Sequence, residues 1–154
     1  LGDVYKRQML YMSIKMSQKE LDVLAIISHS ESPMTISDVV KTNPQEYTLN
    51  IVKPIVRKLI QLQMIEDCGF TYRGTSIARK FVPTKQAHIV LEGIFQQEYQ
   101  NYRKVFPDNS LLLALVKSEF SHENNQEDIK RLEDMLNTIK AQHSTGGVND
   151  ESVV

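Results

Sequence analysis

The chain has 154 residues, of which 41% are hydrophobic and 24% charged, enough apolar material for one compact domain or two small ones. Its net charge of −1 argues, taken alone, against a nucleic-acid partner, and no apolar run approaches the roughly 20 residues of a membrane-spanning helix. A single cysteine, Cys68, excludes an intramolecular disulfide and a multi-cysteine metal site, and it suits a reducing compartment, the cytoplasm.

Residues 1–15 are set aside as a non-native or disordered leader: Met9, Met12 and Met16 each offer a start, and no stretch is apolar enough for a signal peptide. Ser17-Gln18-Lys19-Glu20 has the spacing of a capping box and opens a first helix through about residue 29, with Leu21, Leu24, Ala25 and Ile27 or Ser28 expected inside. Ser28-His29-Ser30-Glu31-Ser32-Pro33 reads as a loop, and Met34-Thr35 as a short strand. Thr35 then caps a second helix over residues 36–41, where Asp38 favours the positive end of the helix dipole. Asn43-Pro44 ends that helix, because the residue before a proline disfavours helical backbone.

Residues 49–65 contain no acid. Within them Val52, Ile55, Val56, Leu59 and Leu62 follow the i, i+3, i+4, i+7 spacing of a helix with one buried stripe, while Asn50, Lys53, Arg57 and Gln61 project from the opposite side. Amides and cations on a wet helix face are the groups that bind phosphates and read base edges in a major groove. Thr48 or Asn50 serves as the cap, and Pro54 predicts a bend or a late start. Residues 64–72 and 76–82 read as two strands joined at Arg73-Gly74-Thr75, with Arg79 and Lys80 alternating across the second. Helix, turn, basic helix and hairpin together make a winged helix-turn-helix. The charge distribution agrees: residues 17–85 carry nine basic and seven acidic residues, whereas residues 86–143 carry six and nine. The candidate DNA-binding residues are Thr48, Asn50, Lys53, Arg57, Lys58, Arg73 and Arg79. Thr48 suits capping or a phosphate rather than a base, and Arg73 suits the backbone or the minor groove.

Three more helices follow. One over residues 84–104 places Ala87, Leu91, Ile94, Phe95, Tyr99 and Tyr102 near one face and stops at Pro107. A second, capped by Ser110, is apolar on most sides through Leu111-Leu112-Leu113-Ala114-Leu115-Val116 and is expected to be buried. The last opens at Asn125 and Asp128 and repeats Ile129, Leu132, Leu136 and Ile139, with Glu127 and Arg131 paired outside. So small and apolar a region is expected to meet a second copy of itself. The candidate dimerisation residues are Leu91, Ile94, Phe95, Leu112, Leu115, Leu132, Leu136 and Ile139. The expected organisation is a leader over 1–15, a winged helix over 16–84, a helical dimerisation domain over 85–143 and a disordered tail over 144–154.

No cofactor, metal site or enzymatic activity is expected. His29, His88, His122 and His143 share no metal-ligand spacing, Ser28-His29-Ser30 has no ordering acid in view, and Cys68 reads as a packing residue on a strand.

The chain resembles the penicillinase-repressor (BlaI/MecI) family of winged-helix regulators. The likeness rests on Glu20-Leu21-Asp22-Val23-Leu24, Thr35-Ile36-Ser37-Asp38-Val39-Val40, residues 52–65, Arg79-Lys80-Phe81-Val82-Pro83, Ser110-Leu111-Leu112-Leu113 and Glu127-Asp128-Ile129, in that order and spacing. It implies an N-terminal winged helix, a homodimer, and repression by occupation of a palindromic operator in double-stranded DNA. It also implies relief through cleavage triggered by a membrane-bound sensor protease. In the family an Asn–Phe-like bond in the long helix is cut; Asn101-Tyr102 lies in that region with a different second residue and is not assigned as a cleavage site. The paired cysteine motifs of the copper-responsive branch are absent. The alternative to a repressor is a winged helix used for protein–protein contact, its basic face merely solvated.

Overall fold

The computed structural model describes residues 14–106, 108–121 and 125–145. The expectations for residues 1–13, for Pro107 as a helix stop, for His122 and for residues 146–154 lie outside that set. The chain divides into two compact units, Leu1–Tyr102 and Arg103–Val154.

In the first unit, α1 (Gln18–His29) starts where Ser17 accepts a hydrogen bond from the Glu20 N–H at 3.2 Å. Its buried residues are Val23, Leu24 and Ile27, whereas Leu21 and Ala25 are exposed, a rotation of the expected stripe. The phase is the one that buries Val23, Leu24 and Ile27 in the core, and it also brings Glu20 to Lys58 of a later helix. Part of the expected leader also takes part, since Ile14 packs on the core, as does Met16 at the start of the expected winged helix.

Helix α2 (Ile36–Thr42) is capped by Thr35 in a full capping box: Thr35 Oγ1 accepts from the Asp38 N–H and Asp38 Oδ2 accepts from the Thr35 N–H. It stops at Asn43 as Asn43-Pro44 requires. Tyr47, buried in the turn that follows, leads into α3 (Leu49–Gln61). The proline at 54 neither delays nor interrupts this helix. It withdraws the N–H that would bond the Asn50 carbonyl, near the helix start and on the exposed face.

The end of α3 is a Schellman motif without its usual glycine. Gln63 adopts φ 58°, its N–H bonds the Ile60 carbonyl, and the Met64 N–H bonds the Leu59 carbonyl, both at 3.0 Å. Met64 and Leu59 are fully buried, which is the apolar contact that accompanies this motif.

Strands β1 (Ile65–Arg73) and β2 (Ser76–Pro83) form an antiparallel hairpin. Arg73 pairs with Ser76, so the turn is Gly74-Thr75 alone, opened by Gly74 at φ +62° as a two-residue hairpin turn demands. Cys68 is the extra residue of a bulge between Asp67 and Gly69, with Gly69 at φ +133°. The cysteine read as a packing residue is therefore exposed, because the bulge lifts it out of register. Met34, expected in a short strand, makes one bridge to Phe81.

Helix α4 (Ala87–Arg103) follows. Ala87, Val90 and Ile94 join Val23, Leu24, Ile27, Val39, Tyr47, Val52, Ile55, Val56, Leu59, Met64, Ile65 and Phe81 in one core. Full burial of a residue such as Leu59 contributes about 1.5–3 kcal/mol.

In the second unit, α5 (Ser110–Glu119) and α6 (Gln126–Thr145) behave differently. Ser110 is the first residue of α5 and not its cap; Asn109 holds the cap position, and Asp108 Oδ1 accepts from the Ser110 N–H. The expected burial of α5 is not found. None of its residues is buried among the described residues, and Leu112, Leu113 and Leu115 are exposed. On α6 the Glu127–Arg131 pair forms at 2.8 Å, and the helix runs through Thr145, into the segment expected to be a disordered tail.

Candidate nucleic-acid interface

Helix α3 sorts its side chains cleanly. Val52, Ile55, Val56 and Leu59 are buried, while Asn50, Lys53, Arg57 and Gln61 are exposed. At 100° per residue those four exposed positions fall within about 80° of one another. Both cations of that face stand clear of the protein's own body, and no acidic residue lies in the helix. At its N-terminus Thr48 holds the cap position with backbone φ −116°, ψ 164°, and its side chain makes no cap hydrogen bond. The Ile51 and Val52 N–H groups both donate to the Thr48 carbonyl, at 3.1 and 2.9 Å, and the exposed Thr48 hydroxyl stands at the positive end of the helix dipole, the kind of end that attracts phosphate.

Lys58 is one residue beyond Arg57 and does not belong to this face. Its Nζ lies 2.6 Å from Glu20 Oε2 and donates to the Lys15 carbonyl at 2.9 Å, tying α3 to α1 and the segment before it.

Arg73 is likewise engaged within the unit. Its Nη2 donates to Asp38 Oδ1 and, at 3.2 Å, to Thr35 Oγ1, so the guanidinium rests on the capping box of α2. Burial alone would push the Asp38 carboxyl up, but the hydrogen bonds from Thr35 and the charge and hydrogen bond of Arg73 hold it below its ordinary value. Arg79 is three-quarters exposed on β2, 3.4 Å from Asp67 Oδ2.

The hairpin also carries a surface that alternation in the strands could have revealed. Phe70 pairs with Arg79 and Tyr72 with Ile77, so the four share one face of the hairpin. Phe70, Tyr72 and Ile77 are all well exposed, and the two rings meet edge to face at 6.0 Å.

The dimerisation candidates divide. Ile94 is 5% exposed and belongs to the first unit's core, because α4 turns that side inward; Leu91 packs partly against the same core. Phe95 is exposed on α4. In the second unit Leu112, Leu115, Leu136 and Ile139 are exposed and Leu132 is half-buried. Among the described residues no group of three or more His, Cys, Asp or Glu is placed to hold a metal ion, and no helix is long and apolar enough to cross a membrane.

No protein-family model matches the chain, and no curated protein matches it. Among solved structures it is similar to MepR, a transcription regulator of the Staphylococcus aureus multidrug efflux pump MepA, at 16% identity over 88% of each chain with a TM-score of 0.41. It is similar to Streptococcus pneumoniae FabT in complex with DNA at 17% identity, covering 85% of this chain and 78% of that one, TM-score 0.40. The zinc-responsive MarR family member ZitR of Lactococcus lactis shows 12% identity over 85% and 78%, TM-score 0.40. These are remote likenesses, and the family named among them is MarR, not the penicillinase-repressor family.

Proposed function

We propose that this chain is a sequence-specific DNA-binding transcriptional repressor that acts as a homodimer on a palindromic operator. The observation that carries the reading is the exposed face of α3. Asn50, Lys53 and Arg57 point away from the core, on an acid-free helix with the hairpin next in the chain. A bidentate amide suits a base edge and the two cations suit phosphates. Dimerisation is supported by the second unit's exposed apolar residues, Leu112, Leu113 and Leu115 on α5 and Met135, Leu136 and Ile139 on α6. Large exposed apolar side chains gathered on two helices suit an interaction site. Only the resemblance to penicillinase repressors supports relief by a membrane sensor protease.

One observation favours a second reading, a winged helix that binds protein: the exposed Phe70, Tyr72 and Ile77 on the hairpin. Selection of bound duplexes from a random pool, followed by titration across salt concentrations, separates the two. A repressor enriches a palindrome and binds it with steep salt dependence. Failure to enrich any duplex refutes the repressor.

A further inference from the structure

The hairpin is held to the neck of α2 at two places. Near its base, the Met34 N–H bonds the Phe81 carbonyl at 3.1 Å and the Phe81 N–H bonds the Met34 carbonyl at 2.8 Å. At its far end, Arg73 Nη2 donates to Thr35 Oγ1 and to Asp38 Oδ1. Arg73 pairs with Ser76, five residues from Phe81 along β2, a separation of about 16 Å at 3.3 Å per residue. A two-stranded hairpin by itself is marginal in water, and a single attachment at its base leaves it free to swing. A second attachment, from Arg73 to Thr35 and Asp38 at the start of α2, restrains that motion.

Asp38 serves both ends of this device. Its Oδ2 completes the cap of α2 through the Thr35 N–H at 2.9 Å, and its Oδ1 takes the guanidinium. Thr35, which offers Oγ1 to both the Asp38 N–H and Arg73, is 1% exposed. The arginine is thus engaged by a carboxylate and a buried hydroxyl within its own unit. Reaching a phosphate would require it to leave a charge-assisted hydrogen bond of the stronger kind.

From this geometry we infer that Arg73 and Asp38 are positioning residues, a clamp that sets the hairpin relative to α3, and that Arg73 does not itself contact DNA. This rests on the DNA-binding reading above. It predicts a pattern distinct from that of a contact residue. Arg73→Ala and Asp38→Asn each weaken operator binding about tenfold, and the double variant is no worse than the weaker single one, because both remove the same interaction. The slope of log K against log salt stays that of the wild type, since no phosphate partner is lost. In the free protein, amides of residues 70–77 exchange faster in both variants while core amides of α3 keep their protection.

The test uses the full chain and a duplex obtained by selection. A fall in slope of about 1.8 per dimer in Arg73→Ala, with Asp38→Asn binding unimpaired, overturns the clamp and makes Arg73 a phosphate contact. Unchanged hairpin exchange in Arg73→Ala overturns it as well, and this reading needs no DNA. Arg73→Ala leaves the α2 cap intact, so it reports even if Asp38→Asn folds poorly. If the wild type binds no duplex, the repressor reading falls, while the exchange measurement still decides whether the clamp exists.

Discussion

Arg57→Ala removes a cation from the exposed face of α3 and leaves the core alone, because Arg57 lies opposite Val52, Val56 and Leu59. In a symmetric dimer the two α3 faces present four such cations, Lys53 and Arg57 from each protomer. At about 0.9 per neutralised phosphate, four contacts give a log K against log salt slope of about −3.6, and loss of Arg57 from both protomers leaves about −1.8. From about 50 to about 200 mM salt, the part of affinity owed to these contacts falls roughly 150-fold in the wild type and roughly 12-fold in the variant. Fluorescence anisotropy with a labelled, selected duplex measures both slopes. Asn50→Ala is the matched control. It keeps the wild-type slope and instead relaxes the preference for one base, which costs about 1–3 kcal/mol of discrimination. If Arg57→Ala and Lys53→Ala both retain the full slope, α3 does not lie against phosphates and the interface has been assigned to the wrong helix.

Three further outcomes test the structure elsewhere. Gln63→Gly relieves a left-handed residue at the end of α3 and raises stability by about 0.5–1 kcal/mol in a urea titration; a loss would show that the glutamine side chain contributes more than its backbone costs. Leu136→Asp places a charge on the exposed apolar side of α6 and shifts the protein toward monomer in sedimentation, with a loss of at least about 1.5–3 kcal/mol per protomer of buried contact. An unchanged dimer would move the interface off that side of α6. The third concerns acid. Asp38 has a depressed pKa, so its contribution to stability is complete above the unfolded value of about 4 and drains away as pH falls through the folded one. The stability difference between wild type and Asp38→Asn is therefore constant at neutral pH and shrinks below about pH 4. A difference that persists undiminished in strong acid would mean that the ionised carboxylate is not what stabilises the fold.

How much of this was legible in the sequence depends on the range over which each signal acts. The α3 stripe, the Thr35 cap and the stop at Asn43-Pro44 are settled within a turn or two of helix, and all three are found, except that Leu62 at the end of the stripe caps the helix and is half-buried. The phase of α1 was not, because periodicity alone permits several stripes through Leu21, Val23, Leu24 and Ile27. The choice is made by a core shared with residues far along the chain, Leu59 and Phe81 among them, against which Val23, Leu24 and Ile27 are buried. The end of α3 was hidden for a different reason: a helix stop is read from glycine, and here a glutamine takes the left-handed position, held by Met64 closing over Leu59. For α5 the sequence showed correctly how apolar the helix is, yet could not show that none of its residues is buried among the described residues.

The same limit explains the basic residues. Arg57 and Lys58 are neighbours of like charge, but 100° of helix rotation sends one to solvent and the other to Glu20. Arg73, at the apparent tip of a turn, is the last residue of β1, within reach of an acid 35 positions earlier. These pairs change what the charge distribution means. Residues 17–85 hold a surplus of two positive charges, too small to argue much. Three of their cations, Lys58, Arg73 and Arg79, are matched by Glu20, Asp38 and Asp67. The four acids left, Asp22, Glu31, Glu46 and Glu66, all lie outside α3, whereas Lys53 and Arg57 are on its exposed face. Internal pairing thus removes charge from the body of the unit and leaves positive potential on α3. A near-neutral chain presents a cationic ridge on one helix, and net charge could not have revealed this.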